Sequence, residues 1–398
     1  GKELWTEGVE GVPIRLYTAF NDLDEAQYIV REIGQAVNRG MMRKEMAVLY
    51  RSNAQSRVLE EALIRAQMPY RIHGGLRFFE RAEIRNAVGY LRLMANPNDD
   101  TAFERVVNLP VRGIGDKSMD ALRALARELG VSLWQAVERA HADNLLPSSV
   151  ISKLCVFTDL VRELERKTEG VPLHERVDAV IHGTGLWAHH EKEKGEKGQT
   201  RLENLKELVA ASREFEWDEE EAPSALAAFL DHAALEAGEA QASEFEDAVQ
   251  LMTLHSAKGL EFPLVFLAGL EEGLFPHEMA LQDNNLEEER RLCYVGITRA
   301  MKELVITHAE IRRLYGDEKH NAPSRFLREI PEALLQRVRA GNNNRGFTLP
   351  SAAINTAPSR LGGNDEGSGA FRLGQPVRHP RFGDGVILKF EGNGPNAR

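Results

Sequence analysis

"LMTLHSAKGLEFPLVFLAGL" (residues 251–270) holds two apolar runs with a polar turn between them. Val249, Leu251 and Thr253 alternate with Gln250, Met252 and Leu254, the two-residue period of a strand. His255, Ser256, Lys258, Gly259 and Glu261 follow at once, and the second run, 264–270, reads as another strand. In an open α/β sheet, ligands gather at the carboxyl ends of strands, where side chains and free amides converge. A glycine at 259 lets the main chain approach such a ligand. On spacing alone, His255 and Lys258 describe a solvated loop equally well.

Working outward, 14–17, 46–50 and 70–72 read as strands, and 24–37 and 54–66 as helices. Downstream, a helix precedes a strand at 304–307. Strands alternating with helices predict an α/β fold built on a parallel sheet. From 80 to 235 the pattern is helical, broken at Pro97, Pro110, Gly113, Gly115, Pro147 and Pro172. The simplest organisation is one α/β domain, 1–80 and 248–338, interrupted by a large, mostly α-helical insertion over 81–247. Residues 339–370, rich in Asn, Gly, Ser and Pro, read as a flexible linker. The last segment, 371–398, has short strands punctuated by glycine, as at the start of a small β-barrel, and too few of them to close one. The chain opens on Gly1, one short segment before a strand, which suggests a piece of something longer.

The 398 residues carry a net charge of −11. Twelve acidic residues and no Lys or Arg fall within 214–247, so that stretch alone contributes −12 and the remainder sits at +1. Residues 71–117 carry eight basic groups against six acidic ones, enough to hold a polyanion locally. No apolar run of membrane-spanning length and no signal-peptide pattern occurs, so a cytoplasmic protein without a membrane partner is expected. Cys155 and Cys293 match no metal-ligand spacing, and no metal site is assigned.

A second cluster is "LEEERRLCYVGITRA" (286–300). Asn285 is placed to cap a helix whose first turn holds Glu287, Glu288 and Glu289, where negative charge suits the dipole. The helix should end near Gly296, leaving Thr298 and Arg299 on a turn before a strand. A guanidinium fixed there matches a phosphate, although an arginine taken alone is more often a surface ion-pair partner. A third cluster is "NLPVRGIGDKSMDALRALAREL" (108–129), in which Gly113, Ile114 and Gly115 precede a helix and Arg112 and Lys117 flank them. Main-chain amides at a helix start bind phosphate without reading sequence. A plain interhelical turn is the alternative. In "PYRIHGGLRFF" (69–79), Arg71 and Arg77 interleave with Tyr70, Phe78 and Phe79, aromatics that suit either base stacking or a core.

The first two clusters together resemble motifs V and VI of the superfamily 1 DNA helicases of the UvrD, PcrA and Rep type. "AVLYRSNAQSRVLEEALIRAQMPYRIHGGLRFFERAEI" and "EKGEKGQTRLENL" are similar to the same family, so the resemblance runs from about residue 11 to the end. It implies a RecA-like domain (2A) interrupted by a helical 2B domain, followed by the start of a Tudor-like module. It implies a 3′ to 5′ DNA helicase acting in DNA repair, with ATP and Mg2+ as cofactors of the complete enzyme, and single-stranded and duplex DNA as partners. DNA repair proteins or RNA polymerase are the protein partners the family suggests. By the same resemblance Arg299 reaches the ATP γ-phosphate, Glu261 and Gly259 meet the nucleotide, and Arg51, Asn53, Thr253 and His255 touch single-stranded DNA. Arg112, Gly113, Ile114, Gly115 and Lys117 would contact duplex, as in a helix-hairpin-helix. Cys293 stands where the family usually has a small alanine. No G-x-x-x-x-G-K-[ST] loop occurs in the 398 residues, "GEKGQT" (195–200) failing the spacing, so the Mg2+ ligands are not expected in this chain and alone it should not hydrolyse ATP.

Overall fold

The computed structural model describes residues 11–218, 222–238, 246–282, 285–314, 317–339, 376–379 and 383–386. Parts of the acidic stretch, the proposed linker and most of the final segment lie outside these residues. Within the first compact unit, residues 1–343, the elements run β1 (Ile14–Asn21), α1 (Asp22–Asn38), β2 (Met46–Tyr50), α2 (Ser56–Arg65) and β3 (Tyr70–Ile72). Among the described residues nine helices follow: α3 (Ala82–Ala95), α4 (Asp100–Val106), α5 (Asp116–Leu129), α6 (Leu133–Asp143), α7 (Ser148–Lys167), α8 (Leu173–Gly183), α9 (Leu186–Glu191), α10 (Glu196–Glu214) and α11 (Ala225–Gly238). The chain then returns to β4 (Val249–Thr253), β5 (Phe262–Leu267), α12 (Glu278–Gln282), α13 (Leu286–Ile297), β6 (Ala300–Leu314), β7 (Asp317–Lys319) and β8 (Leu335–Arg339).

The sheet order is β3-β4-β2-β5-β6-β1-β8, all parallel, with β7 antiparallel on β6. Strands from both ends of the unit therefore share one sheet, and the helices between them build a separate core, as the strand and helix pattern predicts. Every residue of β2 is buried, as a central strand covered on both faces must be. Met46, Val48 and Tyr50 face the side packed by α1 and α2, while Ala47 and Leu49 face the side packed by α13. Asn21 caps α1 by accepting from the Asp24 amide at 2.8 Å, ahead of an acidic first turn.

The helical core gathers Tyr90, Phe103, Trp134, Phe157 and Phe229. Phe78 and Phe79 belong to it, at 1% and 4% exposure, which removes them from any base-stacking role. The seam between sheet and helices is polar. Arg57 of α2 bonds Glu207 and Glu214 of α10 at 2.6 and 2.9 Å, and Arg81 bonds Asn204 at 2.9 Å. Buried Arg312 of β6 lies between Glu25 and Glu271, which keeps charge inside a strand without leaving it unpaired. In the second unit, β9 (Pro376–His379) and β10 (Gly383–Val386) form an antiparallel pair.

Candidate nucleotide and DNA site

Strands β2 and β4 are parallel neighbours with Tyr50 opposite Thr253, and the Leu254 amide donates to the Tyr50 carbonyl at 2.9 Å. Their carboxyl ends thus bring Arg51, Asn53, Thr253 and His255 to one edge of the sheet. Buried Leu254 and Ala257 anchor the turn, and the Thr253 hydroxyl lies 3.1 Å from that of Ser256. His255, Lys258, Gly259 and Glu261 remain exposed. Gly259 takes φ +86°, a left-handed conformation that side chains resist.

Helix α13 delivers Arg299 to the same turn. Asn285 occupies the N-cap position but its side chain makes no capping bond, so the sequence-based cap is replaced by its carbonyl, which accepts from Glu288 at 3.2 Å. At the other end the helix stops at Ile297, one residue past Gly296. The Arg299 carbonyl accepts from the Phe262 amide at 2.9 Å. Its guanidinium donates to the Val295 carbonyl at 2.9 Å, the Leu260 carbonyl at 2.8 Å and the Thr298 hydroxyl at 3.0 Å. These bonds bring Arg299 against the turn holding Gly259 and Glu261. Three of the five N–H donors of the guanidinium are used, all on neutral acceptors, and among the described residues no carboxylate pairs with it. A half-buried, oriented cation without a counter-ion suits an incoming phosphate.

Arg51 is placed differently. Its Nε and Nη2 grip both oxygens of Glu289 on α13, at 2.9, 3.0 and 3.1 Å, and Glu289 is buried. The same carboxylate accepts from the His277 amide at 3.0 Å. Asn53 is half-buried and gives its carbonyl to Arg81 at 3.0 Å. Beside them Ser52 donates to Glu203 of α10 at 2.8 Å, and the His277 ring lies 3.4 Å from the same carboxylate. Burial opposes the Glu203 anion, but the bonds from His277, Ser52 and Gln199 outweigh it and hold this carboxyl below its usual range.

In the helical part, Asn108 organises the hairpin by accepting from the Arg112 and Ile114 amides at 2.8 and 3.1 Å. Ile114 is the buried anchor, at 2% exposure. Gly113 takes φ +72°, and Gly115 is the N-cap of α5, leaving exposed Lys117 in its first turn. Arg112 turns inward. Its guanidinium bonds the carbonyls of Val106, Pro110 and Thr184 and lies 5.7 and 5.5 Å from the Tyr90 and Phe157 rings. Three of its five N–H donors are held by protein carbonyls, so Arg112 braces the hairpin from within. Lys153 of α7 reaches the Gly113 carbonyl at 3.0 Å and stands beside the loop.

Residues 1–311 match the UvrD-like helicase C-terminal domain. The chain belongs to this family. Over its full length it is 53% identical to DNA helicase II of Salmonella typhimurium and to DNA helicase II of Escherichia coli, covering 55% of each. It is 37% identical to ATP-dependent DNA helicase PcrA of Staphylococcus aureus, with 97% of the chain matched to 53% of that protein. The chain thus spans about half the length of the curated relatives it matches.

In this UvrD-like helicase domain, the residues that sequence reasoning passed over are those whose partners are remote. Glu289 reads as one of three dipole-matching acids, yet it alone is buried, and its place on the inner face of α13, three residues before Leu292, is the signal that separates it. Lys153 lies 40 residues from the loop it meets, and nothing local points to it.

Proposed function

We propose that this chain is the C-terminal portion of an ATP-dependent 3′ to 5′ DNA helicase that translocates on single-stranded DNA and unwinds duplex in DNA repair. In this reading 1–80 and 248–338 form the RecA-like 2A domain and 81–247 the 2B domain. The observation that carries it is the Arg299 guanidinium, aimed by neutral acceptors and, among the described residues, left without a carboxylate. Bound ATP with Mg2+ supplies the phosphoryl group whose cleavage drives movement; here Arg299 would meet the γ-phosphate, with Gly259 and Glu261 beside the nucleotide. Thr253 and His255, at the ends of neighbouring strands, would touch single-stranded DNA, and Gly113, Gly115, Lys117 and Lys153 the duplex. Repair proteins or RNA polymerase are the protein partners that fit this role.

In the complete protein, Arg299→Ala should lower kcat by on the order of a thousandfold while ATP affinity changes little. Equal losses in both would remove the finger role. A second reading, a non-catalytic DNA-binding or protein-docking fragment, is favoured for the chain by itself because its sequence holds no P-loop. DNA-stimulated ATP hydrolysis by the purified 398-residue chain would overturn that reading.

A further inference from the structure

Where α2 meets α11, three side chains converge that the helicase reading does not use. His232 and Glu236 lie one helical turn apart on the same face of α11, and the His232 Nε2 sits 3.1 Å from a Glu236 oxygen. Glu61 of α2 completes the group, so that one ligand atom from each falls within 4.8 Å of the others. All three side chains are half-buried or less exposed, at 36% for His232, 12% for Glu236 and 13% for Glu61. The His232 ring is positioned by aromatic neighbours, Phe79 at 6.0 Å and Phe215 at 5.4 Å.

We propose that Glu61, His232 and Glu236 form a Zn2+ site that ties α2 of the sheet to α11 of the helical part. One imidazole nitrogen and two carboxylate oxygens are donors that zinc accepts, and three protein ligands leave the fourth position of a tetrahedral site for water. Tetrahedral zinc places its nitrogen and oxygen ligands about 3.3 Å apart, close to the spacing His232 and Glu236 already hold. Glu61 needs only a short movement to join them.

The charges around the site permit a cation. Arg57 bonds Glu61 at 2.6 Å, but that guanidinium is shared with Glu207 and Glu214, so its charge is divided among three carboxylates. Arg65 is exposed and stands 3.9 Å from the other Glu61 oxygen, free to swing into solvent. Arg77 reaches α11 through the Ala237 carbonyl, and its charge is directed to Glu80. A second cluster, His189, His190 and Glu193, is a weaker candidate, because all its ligands sit on one short stretch and would tie no two elements of the fold together.

The test uses the whole chain, stripped of metal, in a His189→Ala background that removes the second cluster. Zn2+ titrated by calorimetry should bind with one equivalent and raise the melting temperature, whereas Mg2+ should do neither. His232→Ala and the isosteric Glu236→Gln should each weaken Zn2+ binding at least about a hundredfold. Should His232→Ala fail to fold, Glu236→Gln decides alone. Binding unaffected by these substitutions, or bound zinc without any thermal shift, would overturn the proposal.

Discussion

The Arg51 guanidinium and the Glu289 carboxylate form a paired, two-point contact between the end of β2 and the first turn of α13. The same helix ends at the turn that carries Arg299. The edge of the sheet read as the DNA side and the arginine read as the nucleotide side are therefore joined through one rigid element. Arg51 acts first as part of that joint.

Breaking the joint should cost stability. Glu289→Gln keeps the shape but leaves the Arg51 cation facing a neutral amide, a loss of about 3 kcal/mol for a pair this well buried. Arg51→Ala should cost a similar amount, and the double variant little more than either single, since both remove one interaction. Urea unfolding of the four proteins measures this. Additive losses would mean that the two residues act on separate partners.

The hairpin separates two kinds of arginine and lysine. Lys117→Glu and Lys153→Glu should each reduce the slope of log affinity for duplex against log salt by about 1, one phosphate contact apiece. Arg112→Ala should leave the slope alone and lower stability by about 2 kcal/mol, because three carbonyls lose their donor. A slope change with Arg112→Ala and none with the lysines would reverse the assignment.

How much of this was legible depends on how local the cause is. Strands β2 and β3 have the predicted bounds because their apolar residues and flanking turns lie side by side in the chain. Strand β6 is predicted over 304–307 and runs Ala300–Leu314, a length that includes a charged Arg312 neutralised by Glu25 and Glu271 from elsewhere in the chain. Strand β8, LQRVR, escapes notice because it is polar and its order depends on pairing with β1 at the other end of the unit. The Arg51 partner lies 238 residues away. Spacing gave the position of Arg112 but not the direction of its side chain, which the helical core decides.

Burial also shapes the response to pH. Asp22 is drawn into the protein, and desolvation raises its carboxyl to about 6 despite the opposing pull of Arg312. The unfolded chain ionises Asp22 near its ordinary value of 3.8, so stability from this group is present below about pH 4 and is lost as pH rises to about 6. Asp22→Asn should be neutral at pH 4 and stabilising by roughly 3 kcal/mol above pH 6. Melting temperatures of both proteins across this range check the sign, and a variant less stable at pH 8 would contradict it.

Packing sets the position of α13 as firmly as charge does. A Cβ on Gly296 would stand 2.6 Å from a Leu254 methyl and 3.2 Å from a Leu267 methyl, both leucines being fully buried. Gly296→Ala should cost about 2 kcal/mol by forcing the helix from the sheet. It should also disturb Arg299, whose amide bonds the Gly296 carbonyl at 3.2 Å. Unfolding by urea gives the first effect; an unchanged stability would show that the leucines simply turn aside.

Arg299→Lys tests whether charge alone suffices at this turn. Lysine keeps the cation but has one nitrogen, which cannot bond Val295, Leu260 and Thr298 together and still present donors outward. The isolated chain should lose only about 1 kcal/mol, because the bonds given up lie in a half-exposed turn. In the complete protein, however, kcat should fall nearly as far as with alanine, on the order of a thousandfold, with ATP affinity within a few fold of the parent. Near-parental turnover in the lysine variant would mean that a point charge is enough and that the carbonyls holding Arg299 serve the fold alone.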